Sequence, residues 1–334
     1  MGCNNPILNK ENKIMSRDFY HTGLEVSRSE VRTLIDGMGP GDHFYVDYEK
    51  GADGNDGNSW GRALRTYSEA IRRVTSNNND VIHIDGNQEI MELGMVTLDK
   101  NRVHTVGHNG ALGHYGPGAR INIGLTTDVL DIALFKNTGV RNTFTGIKFS
   151  SNNTKDIARH TVHEAGEYAR YRNCEIVKIS HLADGDAADL LLQGDSAQFY
   201  ETTIGVSSLP TVGAVRRPNV LCYYLAGKRP KDVLFRQCLF PKMAGNAAAM
   251  MVYITNTQCI ERWIMFDDCT FINNVAAAAD PNYAVGVSGA QTVGVVILKN
   301  CTSILCDLMV QGAVGIYTAG PVPTAATSGI AVTA

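Results

Sequence analysis

Four consecutive pieces decide the fold: Phe44-Tyr45-Val46-Asp47, then Gly51-Ala52-Asp53-Gly54-Asn55-Asp56-Gly57-Asn58-Ser59-Trp60, then Ala63-Leu64-Arg65-Thr66-Tyr67-Ser68-Glu69-Ala70-Ile71-Arg72-Arg73-Val74, then Val81-Ile82-His83-Ile84-Asp85-Gly86. The first alternates as a strand does. The second is Gly/Asp/Asn turn chemistry closed by a Trp. In the third, apolar residues stand at 63, 67, 70, 71 and 74, the spacing of one helix face. The polar break Asn77-Asn78-Asn79-Asp80 precedes the fourth, a second strand. The order is strand, loop, Trp, short helix, strand.

Beyond residue 90 the chain falls into short apolar segments separated by Gly, Asn and Asp, and a weak repeat emerges. Its copies are Gly146-Ile147-Lys148-Phe149, Asn173-Cys174-Glu175-Ile176, Glu201-Thr202-Thr203-Ile204, Gln237-Cys238-Leu239-Phe240 and Asp268-Cys269-Thr270-Phe271, with a degraded Asn300-Cys301-Thr302-Ser303-Ile304. The second positions are separated by 27, 28, 36, 31 and 32 residues. That is the length of one turn of a solenoid with a long loop. The Cys and the Phe or Ile two places on share one strand face and are expected to point inward, stacked on the previous turn. The residue before the Cys is expected at a corner. Long insertions between copies carry His160, His163 and Glu164, then Asp184-Gly185-Asp186, then Arg216-Arg217 and Lys228-Arg229-Pro230-Lys231.

The expected layout is an arm with a short helix over 1–41, a cap over 42–86, the solenoid over 87–310 and a small-residue arm over 311–334. Ser27 and Glu30 have capping-box spacing in the first helix, and Gly39-Pro40-Gly41 breaks it off. Of 334 residues, 44% are hydrophobic and 19% charged, which suits a long buried core. The net charge of −3 gives no broad basic field, so nucleic acid is not expected as a partner. No apolar run is long enough to span a membrane, and no membrane partner is expected. The first residues lack a signal-peptide core, and Pro6 stands where N-myristoylation wants Ser or Thr. Synthesis and folding in a cytoplasm are therefore expected. The eight cysteines include no C-x-x-C pair and read as buried thiols.

Asp184, Asp186 and Asp189 form the densest acidic group and are the candidates for carbohydrate or Ca²⁺ binding. No other cofactor or metal is expected. Asp267-Asp268 are strand neighbours that face opposite ways. Asp53, Asn55 and Asp56 read as a structural turn. His104, His108 and His114 read as loop histidines. His160, His163 and Glu164 read as a solvated helix or a subunit contact. Arg216, Arg217, Lys228 and Arg229 are the candidates for partner contact. No acid–base pair for glycoside hydrolysis, whose carboxyls stand about 5 to 9.5 Å apart, is evident from the sequence.

The cap and the repeat together resemble the pectate-lyase-like superfamily. The resemblance implies an all-β, single-stranded right-handed parallel β-helix with an N-terminal capping helix and extended terminal arms. In that family the short helix plugs the open end, which makes Trp60, Tyr67 and Ile71 the cap residues here, with Trp60 beneath the helix. The opposite end has no such helix, so a partner or the tail must cover it. Members without a secretion signal and with terminal arms resemble phage virion proteins. The implied role is a non-enzymatic exterior capsid decoration or head fibre. It would act as a homotrimer located in the virion after assembly in the host cytoplasm, beside other virion proteins such as the major capsid protein. The alternatives are a tailspike-type polysaccharide lyase or hydrolase, or a non-cleaving receptor binder using Tyr223, Tyr224 and Tyr283.

Overall fold

In the computed structural model, the described residues are 41–87, 89–108, 118–123, 133–151, 159–178, 185–208, 210–211, 213–224, 227–275, 281–289, 293–311 and 315–319. Residues 1–40 of the expected arm and helix over 1–41, and the segment 320–334, lie outside them. Asp42–Ala334 is one compact unit.

Three sheets of ten, eight and eight strands run through the described residues, and every paired strand is parallel to its neighbours. Each turn visits them in the same order. The turn that starts at Thr143–Thr145 in the first sheet continues through Ile147–Ser151 in the second and His160–Glu164 in the third. It returns to the first at Arg170–Arg172, paired in register with Thr143–Thr145. The chain is therefore a parallel solenoid. The last strand among the described residues, Ile316–Ala319, pairs with Val295–Lys299, so the coil extends past the expected boundary at 310. Thr302–Ile304 and Leu308–Val310 are the outermost strands of the other two sheets at that end.

The repeat marks the corner between the first and second sheets. Gly146, Asn173, Glu201, Gln237, Asp268 and Asn300 all have φ between 49° and 67°. This left-handed conformation turns the chain in a single residue. The ladder is closed by hydrogen bonds between turns: Asn173 N donates to Tyr200 O at 3.1 Å, Gln237 N to Asp267 O at 2.9 Å and Asp268 N to Lys299 O at 2.9 Å. The following thiols point in. Cys238 Sγ lies 3.4 Å from Phe199 O, and Cys269 Sγ 3.5 Å from Phe235 O. A second left-handed corner, at Arg102, Arg141, Tyr168, Ser196 and Asp232, leads from the third sheet back to the first.

Inside, aromatic rings stack turn on turn. Phe144, Tyr171, Phe199, Phe235 and Phe266 line the first sheet with successive centroids 4.6, 4.8, 4.6 and 4.9 Å apart. Phe240 and Phe271 stack at 4.7 Å on the second. Each such pair adds roughly 0.5–1.5 kcal/mol beyond its area.

The cap forms as the sequence demands, with one correction. The helix spans Tyr67–Arg73, and its N-cap Thr66 accepts from Glu69 N. Tyr67, Ala70 and Ile71 are buried beneath it. Tyr67 reaches the interior, where its hydroxyl meets Thr105 Oγ1 at 2.8 Å. Glu92 ties the helix start down, accepting from Tyr67 N at 2.6 Å and Ser68 Oγ at 2.6 Å. Trp60 is not under the helix. It lies in a short 3-10 turn, Trp60–Arg62, is 41% exposed, and packs edge-on to Tyr45. Leu64, at 0% exposure, is the residue that this segment buries in the core.

Candidate functional site

Two outer faces gather the side chains of interest. The first is the side of the third sheet. On strands Ala188–Leu192, Val220–Cys222 and Val252–Ile254, Leu190, Leu192, Val220, Cys222, Val252 and Ile254 join the core, while Leu191, Leu221 and Tyr253 form a separate cluster with Ala188 and Met250. The loops entering these strands lie against one another, with Arg217 N donating to Gly185 O at 3.2 Å and Met250 N to Arg216 O at 3.3 Å. This brings Asp186 to Arg216 at 3.2 Å. Arg216 also stacks over the Tyr253 ring at 4.4 Å and donates to its hydroxyl at 2.8 Å. Nearby, His163 Nε2 meets Gln193 Oε1 at 2.6 Å, and Gln193 Nε2 donates to Tyr223 O at 3.2 Å. Arg229 lies over Tyr224 at 5.6 Å and 3.7 Å from Glu261. Tyr223 and Tyr224 are exposed. The sequence candidates Asp186 and Arg216 are thus direct partners, while Arg229 sits on a neighbouring loop and Lys228 is exposed.

The second face is the outer side of the first sheet. One register column reads Thr143, Arg170, Gln198, Leu234, Met265, Ile297, Tyr317. It is polar for three turns and apolar for the last four. Trp263 and Val295 pair beside it. Tyr317 is 58% exposed, and Leu234, Trp263, Met265, Val295 and Ile297 are half-buried. The inward residues on the same strands include Phe235, Phe266 and Leu298. Next to this strip runs a charged rung in which Asp267 pairs with Arg236 at 3.4 Å and with Lys299 at 3.1 Å.

Several candidates sit elsewhere than the sequence suggested. Asp184 and His114 lie outside the described residues. Asp189 is 1% exposed, and its carboxylate accepts from Lys178 N at 2.6 Å. Burial raises its pKa against the opposing pull of Arg217 and Lys242. It is an interior tie between sheets and does not share a surface with Asp186. Arg217 is 4% exposed and donates to Lys178 O at 2.7 Å, so it is not available for a surface contact. Lys242, equally buried, donates to Arg217 O and to Asn219 Oδ1, and burial pushes its pKa down to about 7. His160, His163 and Glu164 form a buried strand instead of a solvated helix, because a parallel sheet under loops is covered on both faces. Glu164 is inside the coil. It accepts from Tyr171 Oη at 2.6 Å, Asn137 Nδ2 at 2.8 Å and Gly166 N at 2.7 Å, and burial raises its pKa to about 7. His104 is in a strand, bonded to Thr143 Oγ1 at 2.8 Å. Asp53 accepts from Arg65 N and Thr66 N, both at 2.9 Å, which makes its loop a structural turn. Among the described residues no group of three or more His, Cys, Asp or Glu has the arrangement of a metal site.

No protein-family model and no curated protein matches the sequence. Solved structures do. The pectate lyase Pel9A superposes with a TM-score of 0.57 at 12% identity, over 88% of this chain and 80% of that one. The pectin methylesterase PemA from Erwinia chrysanthemi gives 0.52 at 12% identity, over 79% of this chain and 80% of its own. A rhamnogalacturonan lyase gives 0.52 at 12% identity, over 79% of this chain and 68% of its own. Likeness at this identity speaks to the fold, and with the three parallel sheets and the stacked interior it establishes that the chain is a right-handed parallel β-helix.

Proposed function

We propose that this chain is a non-enzymatic structural protein of a phage virion exterior, a decoration or head-fibre solenoid. It assembles as a homotrimer and takes its place among other virion proteins, with the major capsid protein as the expected neighbour. Its location is the virion, after assembly in the host cytoplasm. The observation that carries this reading is the apolar column Leu234, Met265, Ile297 and Tyr317 with Trp263 and Val295 beside it. A parallel solenoid offers other molecules its flat sheet faces. An apolar strip along one of them favours side-by-side packing of copies, since contiguous exposed apolar surface on a soluble protein marks an interaction site. The test is gold-labelled antibody against the chain, applied to intact particles of the virus that carries it. Label on the outer surface is the expected result. Label confined to disrupted particles or to the free lysate would overturn the assignment.

A second reading is favoured by one observation, the grouping of Arg216, Asp186 and Tyr253 beside the exposed Tyr223 and Tyr224. Arginine and aromatic rings over a β-helix face suit an acidic polysaccharide, and the solved structures of similar fold include a pectate lyase and a rhamnogalacturonan lyase. Depolymerisation of an acidic polysaccharide by the purified protein, abolished in Arg216→Ala, would replace the structural reading with this one.

A further inference from the structure

Three imidazoles run in series across the outer face of the first sheet. His43 Nδ1 lies 2.8 Å from His83 Nε2, and His83 Nδ1 lies 2.9 Å from His108 Nε2. The backbone builds this row from residues far apart in sequence. His43–Val46 pairs with Val81–Ile84, which pairs with His104–Gly107. His108 N donates to Ile84 O at 2.9 Å, which fixes the third ring next to the second. Aromatic rings surround the row. His43 and Tyr45 each stack on His83, at 5.1 and 4.8 Å, and Trp60 stands edge-on to His108 at 5.5 Å.

Each nitrogen–nitrogen gap holds one proton. A neutral imidazole has one N–H and one lone pair, so three neutral rings fill both gaps with every N–H pointing the same way. Extra protons place like charges on rings in direct contact. Tyr45 stacks on His83, and Asp85 acts on His108. On the same strands His104 pairs in register with Val81, and burial lowers its pKa to about 4 against the pull of Asp80.

We propose that His43, His83 and His108 form an acid-released clasp that holds the first strands of the solenoid together while its rings are neutral and lets them part as the rings take up protons. This goes beyond the structural role argued above and does not depend on it. Burial pushes the His83 pKa down to about 3, with His108 and His43 adding to the effect. Burial also lowers His108, against the pull of Asp85. The ordinary value is 6.5, so below it the opened state binds more protons than the closed one. The clasp is therefore intact above 6.5 and weakens as pH falls toward 3. At about pH 5 His83 alone would favour opening by about thirtyfold relative to neutral pH.

The test is hydrogen exchange read by mass spectrometry on the full chain at about pH 7.5 and about pH 5, corrected for intrinsic rates. Peptides covering residues 43–46 and 81–84 are compared with a control over residues 252–254. The wild type should lose at least about thirtyfold protection in the first two peptides in acid, with the control unchanged. In His83→Gln, which keeps a donor and an acceptor, the loss should be about tenfold or more smaller than in the wild type. His104 remains in that variant, so its own titration is held constant. His43→Gln gives the same comparison from the end of the row and serves if His83→Gln does not fold. An equal loss in wild type and variants, or a wild-type loss under about threefold, would overturn the clasp.

Discussion

Glu164 shows what a single residue has to satisfy inside this coil. Its carboxyl takes hydrogen bonds from Tyr171, Asn137 and Gly166, yet burial still raises its pKa from 4.5 to about 7. Because the folded value is the higher one, the stability this group contributes is complete below 4.5 and is lost as pH rises through 7. Urea unfolding should therefore show Glu164→Gln losing less stability than the wild type between about pH 5 and about pH 8, by roughly 2–3 kcal/mol. The corner residues give a second test at this scale. Gln237 is exposed and sits at φ 53°, and its side chain makes one exposed hydrogen bond, Nε2 donating to Asp268 Oδ2 at 3.3 Å, so its identity matters chiefly through the backbone. Thermal unfolding should place Gln237→Val about 1–2 kcal/mol below the wild type, because a β-branched residue resists the left-handed region, and Gln237→Gly within about 1 kcal/mol of it. Single residues were the least legible in the sequence. Asp186 and Asp189 are three positions apart, yet one pairs with Arg216 at the surface and the other is buried beside Lys178. What separates them is which loop covers which strand, and local pattern does not encode that.

At the scale of elements, the sequence carried most of the architecture. The Cys-x-Phe/Ile repeat marks one strand of each turn, because an inward pair must recur wherever the coil stacks on itself, and Cys238, Phe240, Cys269 and Phe271 are all at 1% exposure or less. The capping helix was legible for the same reason, since it must bury one face. The place of the Trp was not, as a large ring next to a helix reads as core whether it is inside or at the rim. The structure makes the two aromatic residues of the cap unequal. Tyr67→Ala removes a fully buried ring and should cost about 3–5 kcal/mol in chemical denaturation. Trp60→Ala removes a ring that is 41% exposed and should cost less, about 1 kcal/mol. Equal losses would mean that the rim packs as tightly as the plug. The imidazole row was hidden for a different reason. His43 and His83 stand 40 residues apart, and His83 and His108 stand 25 apart, so only strand register brings them together.

On the whole molecule, the informative asymmetry is the change along the first sheet from a polar outer column to an apolar one. It was invisible in the sequence because inner and outer residues are both apolar there. Val233-Leu234-Phe235, Trp263-Ile264-Met265-Phe266 and Val295-Val296-Ile297-Leu298 read as continuous hydrophobic runs, and the alternation that separates the faces is lost. Ile297 is the middle of that strip, paired with Met265 on one side and Tyr317 on the other. A charge placed there would be buried by any copy that packs on the face, and would meet water in an isolated chain. The decisive measurement is the solution mass, by light scattering, of the wild type beside Ile297→Glu. Three chains for the wild type and one for the variant, with unchanged circular dichroism, is the predicted result. A wild type of one chain, or a variant that keeps the wild-type mass, would contradict self-association through this face.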